Sequence, residues 1–353
     1  MRILGLESSC DETAAAVVED GVRVRSSIVS SQADLHEPYG GVVPEIASRA
    51  HVERIIPTLR AAMHEAGLTW SYLDAIAVGH RPGLIGSLLI GLTAAKSLAW
   101  AGGLPIVGID HVHAHLYAGC LETQPAAFPA LGLVVSGGHT ATYLLESPTR
   151  LQRLGATIDD AVGEAFDKAA TMLGLDYPGG PELDRLAEAA HHLGRDERAH
   201  TFPISRLKPG SLDFSFSGLK TAMLYAVRGR PGPGGSFERD HASLTVQAKQ
   251  DLALGFRRAA IDAILLKLDR ARKKLLRDGR EPRSLLVGGG VSANSLLRRE
   301  LASLADRWHI DLRLPPMEWC VDNAAMIAGL AHHQLAAGVA DDLTLAAVPT
   351  TAC

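Results

Sequence analysis

Cysteine is scarce in this 353-residue chain. Cys10, Cys120, Cys320 and Cys353 are scattered and form no C-x-x-C pair, which argues against a zinc ribbon or a disulfide framework and suits a reducing cytosol. Aromatic residues make up only 5%, so the core must rest on Leu, Val, Ile and Ala. There is no surplus of positive charge. The formal net charge of -4 argues against a free-standing, strongly basic nucleic-acid binder, while leaving room for RNA held by a local patch or with partner proteins. No G-x-x-x-x-G-K-[ST] loop is present, so this is not a P-loop enzyme. The dinucleotide fingerprint is also missing after the first strand. Uninterrupted apolar runs are missing too. The most apolar region, Leu84 to Gly108, is broken by Lys96, Gly102, Gly103 and Pro105, and reads as a buried helix followed by a strand rather than a membrane span. The opening MRILGLESSCDE has no basic leader ahead of an apolar stretch, so no signal peptide is expected and the cytoplasm is the expected compartment.

The length favours two domains, and 35 glycines point to tight turns and close backbone approach to a ligand. Ile3–Glu7 and Ala14–Val18 predict a hairpin with a polar turn, Ser8 to Thr13. Pro44 stands where a helix should begin. A strand at Ala75–Val78, a helix at Gly86–Trp100 and a strand at Ile106–Ile109 follow, then a helical His111–Leu121. A second hairpin, Leu131–Val135 with Thr140–Leu145, turns at Ser136-Gly137-Gly138-His139. Helices are expected at Asp159–Leu173 and Pro181–Ala190, then a strand at Leu285–Val287, a helix from about Ala293, a strand at Asp311–Leu314 and a helix from Asp322. Arg228 to Ser236, RGRPGPGGS, reads as a flexible surface loop. Strand hairpins with polar or Gly-rich turns open both halves, which suggests two related α/β domains with a ligand cleft between them.

His111-Val112-His113-Ala114-His115 places three histidines in five positions. On a helix, His111 and His115 share a face and can share an ion, while His113 points elsewhere. Imidazole suits Zn, Fe, Ni or Cu. The plainer reading is a helix with surface histidines. The helical zinc-protease pattern needs Glu directly after the first His. Val112 stands there, which counts against peptide hydrolysis. A third ligand must come from elsewhere. Asp322 opens a helix after a strand end, where it can cap the helix or face the ligand cleft. Two histidines and one carboxylate leave positions open for substrate oxygens or water.

Three Gly-rich turns suit an anion: Gly137-Gly138 with Ser136 and His139 as added donors, Gly288-Gly289-Gly290 ahead of Asn294, and Tyr177-Pro178-Gly179-Gly180-Pro181. The last is flanked by Asp167 and Asp184, which can accept from ribose hydroxyls or an amine. Each turn alone mostly just turns the chain; three together point to one shared nucleotide.

With these residues in view, the chain resembles the universal tRNA N6-adenosine threonylcarbamoyltransferase family, once described as O-sialoglycoprotein endopeptidases. The motifs that carry the resemblance are Glu7-Ser8-Ser9-Cys10-Asp11-Glu12-Thr13, Gly41 to Arg49, Pro82 to Leu88, His111 with His115, Val135 to Thr140, Gly163 to Lys168, Asp176 to Pro181, Gly289 to Asn294, and Asp322 to Met326. They span nearly the whole chain in family order. The resemblance implies the actin-like ATPase fold of hexokinase and the sugar kinases, with two ribonuclease-H-like domains around a nucleotide cleft. The expected division is 1–125, joined by a returning C-terminal helix at about 322–340, and 126–321 with a helical insertion at about 150–250. The resemblance also implies one divalent metal, iron ahead of zinc, on His111, His115 and Asp322. Val135, Ser136, Gly137, Gly138, His139, Asp167, Gly180, Asp184 and Asn294 would contact threonylcarbamoyl-adenylate, or ATP or AMP in its place. The product would be N6-threonylcarbamoyladenosine next to the anticodon, in tRNAs reading codons that begin with A. The implied partners are tRNA, a paralogous subunit and a small ATPase, with no membrane. Three departures from the family pattern stand out: Arg81 where Gly is usual, Asp110 where Asn or His is usual, and His113-Ala114 in place of a frequent Glu-Gly.

The reaction is acyl transfer from a mixed anhydride to an amine, and Asp11 and Glu12 are the candidate proton acceptors; the plainer reading makes them solvated turn acids. Arg270, Arg272, Lys273, Lys274, Arg277 and Arg280 form the densest basic run, either a tRNA contact or a solvated helix face. The rival readings are a sugar kinase or ATPase of the same fold, a metalloprotease, and a non-catalytic assembly subunit.

Overall fold

The computed structural model describes residues 1–232, 236–237 and 239–350. The expected loop Arg228–Ser236 and Cys353 fall partly or wholly outside them.

The first half builds β1 (Arg2–Glu7), β2 (Glu12–Glu19), β3 (Arg23–Ser31), α1 (Ala33–His36), α2 (Pro44–Ala66), β4 (Ala75–Arg81), α3 (Ile85–Gly102), β5 (Ile106–Asp110) and α4 (His111–Tyr117). The second half builds β6 (Ala130–Val135), β7 (Thr140–Ser147), β8 (Arg150–Ala156), α5 (Val162–Leu173), α6 (Gly179–His192), α7 (Ser217–Arg228), α8 (Val246–Arg277), β9 (Ser284–Gly288), α9 (Ser295–Trp308), β10 (Asp311–Arg313) and α10 (Ala324–Ala336).

Two five-stranded sheets result, in the orders β3-β2-β1-β4-β5 and β8-β7-β6-β9-β10. Each is a three-stranded antiparallel meander extended by two parallel strands. The repeated order gives the echo in the sequence a structural meaning. Strands β1, β2, β4, β6 and β9 are apolar along their length because helices or the other half cover both faces.

The core has three parts. Leu4, Leu6, Ile76 and Val78 meet α2 and α3 on the outer face of the first sheet. Ile3, Ala16, Val107 and Val134 meet α4 and α10 between the sheets. Leu131, Leu133, Leu285 and Val287 meet α5 to α9 beyond the second sheet. Helix α10 lies so close on β1 that a Cβ at Gly5 would strike the Ala324 carbonyl oxygen.

By length and composition α3 passes as a membrane span; in the fold, Leu88, Gly91, Leu92, Ala95 and Ala99 pack it on β4 and α2. No apolar run predicts β3 or β8, and some expected helix starts lie early. Helix α5 begins at Val162 rather than Asp159. Helix α10 begins at Ala324, with Asn323 rather than Asp322 at its N-cap.

Candidate metal centre

The chain passes between the sheets twice, once through α4 and once through the segment from β10 to α10. All three expected metal ligands lie on these passages. Asp110 ends β5 and caps α4, accepting from the backbone N–H of Val112 at 3.0 Å and of His113 at 3.2 Å. That cap starts the helix at His111, so His111 and His115 stand one turn apart, their rings 4.6 Å centre to centre. His113 faces away and packs edge-on against Tyr143.

Asn323 takes the N-cap of α10, accepting from the Met326 N–H at 3.0 Å. This frees the Asp322 side chain, whose Oδ1 lies 3.1 Å from His115 Nε2 and 3.3 Å from His111 Nε2. The three donor atoms lie within 4.8 Å of one another. Bonds of about 2.0–2.2 Å to one ion set neighbouring donors roughly 3.0–3.5 Å apart, so the spacing fits a single cation. Buried His111 would lose its charge on desolvation alone, but Asp322 and Glu7 drive its pKa well above the ordinary imidazole value. Desolvation leaves His115 below that value. Asp322, despite burial, is held well below the carboxylate range by the two rings. A divalent cation placed among the three donors would meet the same carboxylate charge that now faces the two rings.

Behind the three donors lies a further layer that no spacing pattern predicts. Glu7 is fully buried. Its Oε2 lies 2.9 Å from His111 Nδ1 and its Oε1 accepts from the Ser9 N–H. Accepting from Nδ1–H fixes the tautomer that turns Nε2 toward Asp322. Room for the carboxylate comes from Gly79, where a Cβ would collide with Glu7 Oε2. A buried carboxylate in a strand of the first hairpin, ahead of a His pair, is the signal that would have found it.

The turn carrying Asp11 and Glu12 is pinned from behind. His51 bonds Thr13 Oγ1 at 2.7 Å through Nδ1 and the Cys10 carbonyl at 2.9 Å through Nε2. Ser8 donates to the Ser87 carbonyl, and the Leu84 N–H to the Ser9 carbonyl. Burial, then Asp322 and Asp11, push Glu12 well above the carboxylate range.

Of the expected nucleotide contacts, Gly137 and Gly138 are exposed, and a Cβ on either would meet nothing. The turn is held by the Ser136 N–H on the His139 carbonyl at 2.8 Å and the His139 N–H on Ser136 Oγ at 3.1 Å. Burial and the charges of His111 and His115 bring the His139 pKa down to about 4, so a neutral ring borders the metal group, beside Val135 at the end of β6. Asp167 accepts from the Gly180 N–H at 2.8 Å. Asn294 uses its Oδ1 to cap α9 at Leu297. Asp184 is engaged on both oxygens, by Ser295 N at 2.9 Å and by the buried Arg257 at 2.8 Å. It ties α6 to the start of α9 and so fixes the Gly288–Asn294 loop.

Two of the three expected departures face one another: Arg81 Nε lies 3.3 Å from Asp110 Oδ2. Arg81→Gly alone removes the cation beside a buried carboxylate oxygen that accepts no hydrogen bond, and should cost about 1–3 kcal/mol. Adding Asp110→Asn, which keeps the cap, should recover most of that in thermal unfolding. A double variant no more stable than Arg81→Gly would refute the compensation.

Two α/β halves with the same strand order, enclosing a His-His-Asp group beside Gly-rich turns, define a protein of the actin-like ATPase and sugar-kinase fold. HypF from T. kodakarensis aligns over 95% of this chain and 48% of its own, with TM-score 0.60 and 14% identity. The sequence profile of the TsaD family, tRNA N6-adenosine threonylcarbamoyltransferase, matches residues 23–329, and the chain belongs to that family. Relatives carrying that name include one from Trichlorobacter lovleyi, 48% identical over 99% of this chain and 96% of its own, and one from Moorella thermoacetica, 46% identical over 99% and 96%. The chain is thus a transferase of tRNA modification.

Proposed function

We propose that this enzyme moves the threonylcarbamoyl group from threonylcarbamoyl-adenylate to N6 of the adenosine next to the anticodon, in tRNAs reading codons that begin with A. The observation that carries this reading is the convergence of His111, His115 and Asp322 beside the Ser136–His139 turn. In the reaction the N6 amine attacks the carbamoyl carbon, the bond from that carbon to the phosphate oxygen breaks, and AMP leaves with the electron pair. The exposed Gly137-Gly138 turn and the Gly288–Asn294 loop would receive the phosphate, with Val135 and His139 flanking it. Asp167, Gly180 and Asp184 would hold the ribose or the threonyl amine. His111, His115 and Asp322 would hold one divalent cation, Fe(II) ahead of Zn(II), since two imidazoles and a carboxylate with open positions suit it. When bound, it supplies Lewis-acid polarisation of donor oxygens.

The amine must lose a proton as it attacks. Asp11 or Glu12 takes that role, since both stand on the pinned turn that faces Asp322. Asp11→Asn and Glu12→Gln should together lower the transfer rate by about 10²–10⁴ while donor binding stays at the wild-type level. Full transfer by the double variant removes the assignment.

The working unit would include tRNA, a paralogous subunit and a small ATPase, in the cytoplasm. Val52 and Ile56 of α2 and Ile85 and Leu89 of α3 are each about half exposed, an apolar surface that supports a protein partner. Residues 1–125 with 322–340, and 126–321, would be the two domains. The deciding test is nucleoside mass spectrometry of tRNA after depletion of the protein. Wild type should restore the modified adenosine and His111→Ala should not. An unchanged modification level on depletion would end the reading.

A further inference from the structure

A cavity of about 900 Å³ opens at the other end of the second sheet, far from the metal group. Pro129, just before β6, and Arg283, just before β9, form part of its wall. The opposite ends of those strands, Val135 and Gly288, border the candidate cleft. The six residues of β6, at about 3.3 Å each, set the two regions roughly 20 Å apart.

Four arginines line the cavity, Arg272, Arg280, Arg283 and Arg307, against two glutamates, Glu146 and Glu281. That is a surplus of two positive charges in a chain whose net charge is -4. Some neighbouring cations are matched by carboxylates: Lys273 lies 2.6 Å from Asp269 and Lys274 2.7 Å from Asp278, while Arg277 donates only to the Lys273 carbonyl. The cavity arginines are less well matched than the two lysines. Arg280 reaches Glu146 only at 3.6 Å, and Arg150 already holds that carboxylate at 2.7 Å. Arg272, Arg283 and Arg307 have no carboxylate partner among the described residues. Arg272 lies over the Trp308 ring at 5.1 Å, and its Nε is buried without a hydrogen-bond partner.

The carbonyl ends of α8 and α9 point toward this region, and their partial negative charge steadies cations in the last turn. That influence does not extend to Arg283, which stands on the loop into β9. A single small anion would leave most of the arginines unmatched, because they come from separate segments around an open rim. A run of phosphodiesters matches them, and RNA stems are held through backbone and shape without base contacts.

We propose that this cavity is a second contact surface for tRNA, in which Arg280, Arg283 and Arg307 hold backbone phosphates over a floor of Arg272 and Trp308. The proposal rests on the tRNA reading above and adds where the polynucleotide is held away from the reacting adenosine.

The test is anisotropy titration of the full chain with labelled tRNA across a salt series, comparing wild type with Arg283→Glu/Arg307→Glu. Both side chains are exposed, so the fold should persist; Arg283→Gln/Arg307→Gln reads the same quantity if the charge reversal disturbs it. The expected result is about ten-fold or greater loss of tRNA affinity and a salt slope flatter by about one to two, with AMP affinity unchanged. Unchanged tRNA affinity and slope in the folded variants would overturn the proposal. So would loss of binding to AMP or inorganic phosphate with tRNA binding intact, because the cavity would then serve a small anion. Wild-type protein that binds no tRNA would instead bring down the functional reading, and this surface with it.

Discussion

Asp322→Ala should abolish measurable cation binding at this site and reduce transfer by at least about 10³-fold. Two imidazoles on one turn of helix remain, but the anionic donor that balances the ion's charge is gone. Charge stabilisation by a bound cation contributes several kcal/mol to a transition state, and about 4 kcal/mol corresponds to that factor. His111→Ala should match it, since one ion cannot be closed by His115 and Asp322 alone. Isothermal titration with Zn(II) or Co(II) reads the first effect, and mass spectrometry of modified nucleosides the second. Unfolding gives a further readout. In the metal-free protein the Asp322 carboxylate lies 3.3 Å from His111 Nε2, so Asp322→Ala should lower the unfolding midpoint, and the loss should widen when a cation is added, because only the wild-type protein binds it. Wild-type affinity in Asp322→Ala would mean that the ion sits elsewhere.

Glu7→Gln should weaken cation binding about 10–100-fold without removing a ligand, the size typical of lost outer hydrogen-bond partners. Gln keeps the shape that fits against Gly79 but no longer carries the charge that holds the proton on His111 Nδ1. The ring then loses its fixed tautomer, and Nε2 is turned toward Asp322 for only part of the time. Glu7→Ala should do more, because it also leaves His111 Nδ1 buried beside an empty space, which costs about 1–3 kcal/mol of stability. Chelator competition measures the first, and chemical unfolding the second. The d–d spectrum of the Co(II) protein adds an independent sign: the Gln variant should show an altered ligand field. An unaltered spectrum with unaltered affinity would remove Glu7 from the metal's surroundings.

What the sequence disclosed, and what it hid, follows from how far each feature acts along the chain. Pro44 opened α2 as expected, because a proline at the first helical turn acts locally. Both hairpins were legible from apolar runs flanking polar turns, and the His111–His115 pair from helical spacing. Strands β3 and β8 were not. Both are edge strands, so each has a solvated side, and RVRSSIVSS and RLQRLGA never form an apolar run. Asp322 was visible as a candidate, but its release from capping was not. Adjacent Asp and Asn compete for one N-cap, and only the backbone path into α10 decides that Asn323 takes it. The role of Glu7 is invisible to spacing, since its partner His111 lies 104 residues away. Asp184 and Asn294 carry duties inside the fold that spacing alone could not reveal: one anchors α6 to α9, the other caps α9.

Both passages between the sheets carry members of one donor cluster, His111 and His115 on α4 and Asp322 just before α10. A cation shared by the three would therefore act as a clasp as well, tying together two stretches of chain more than 200 residues apart.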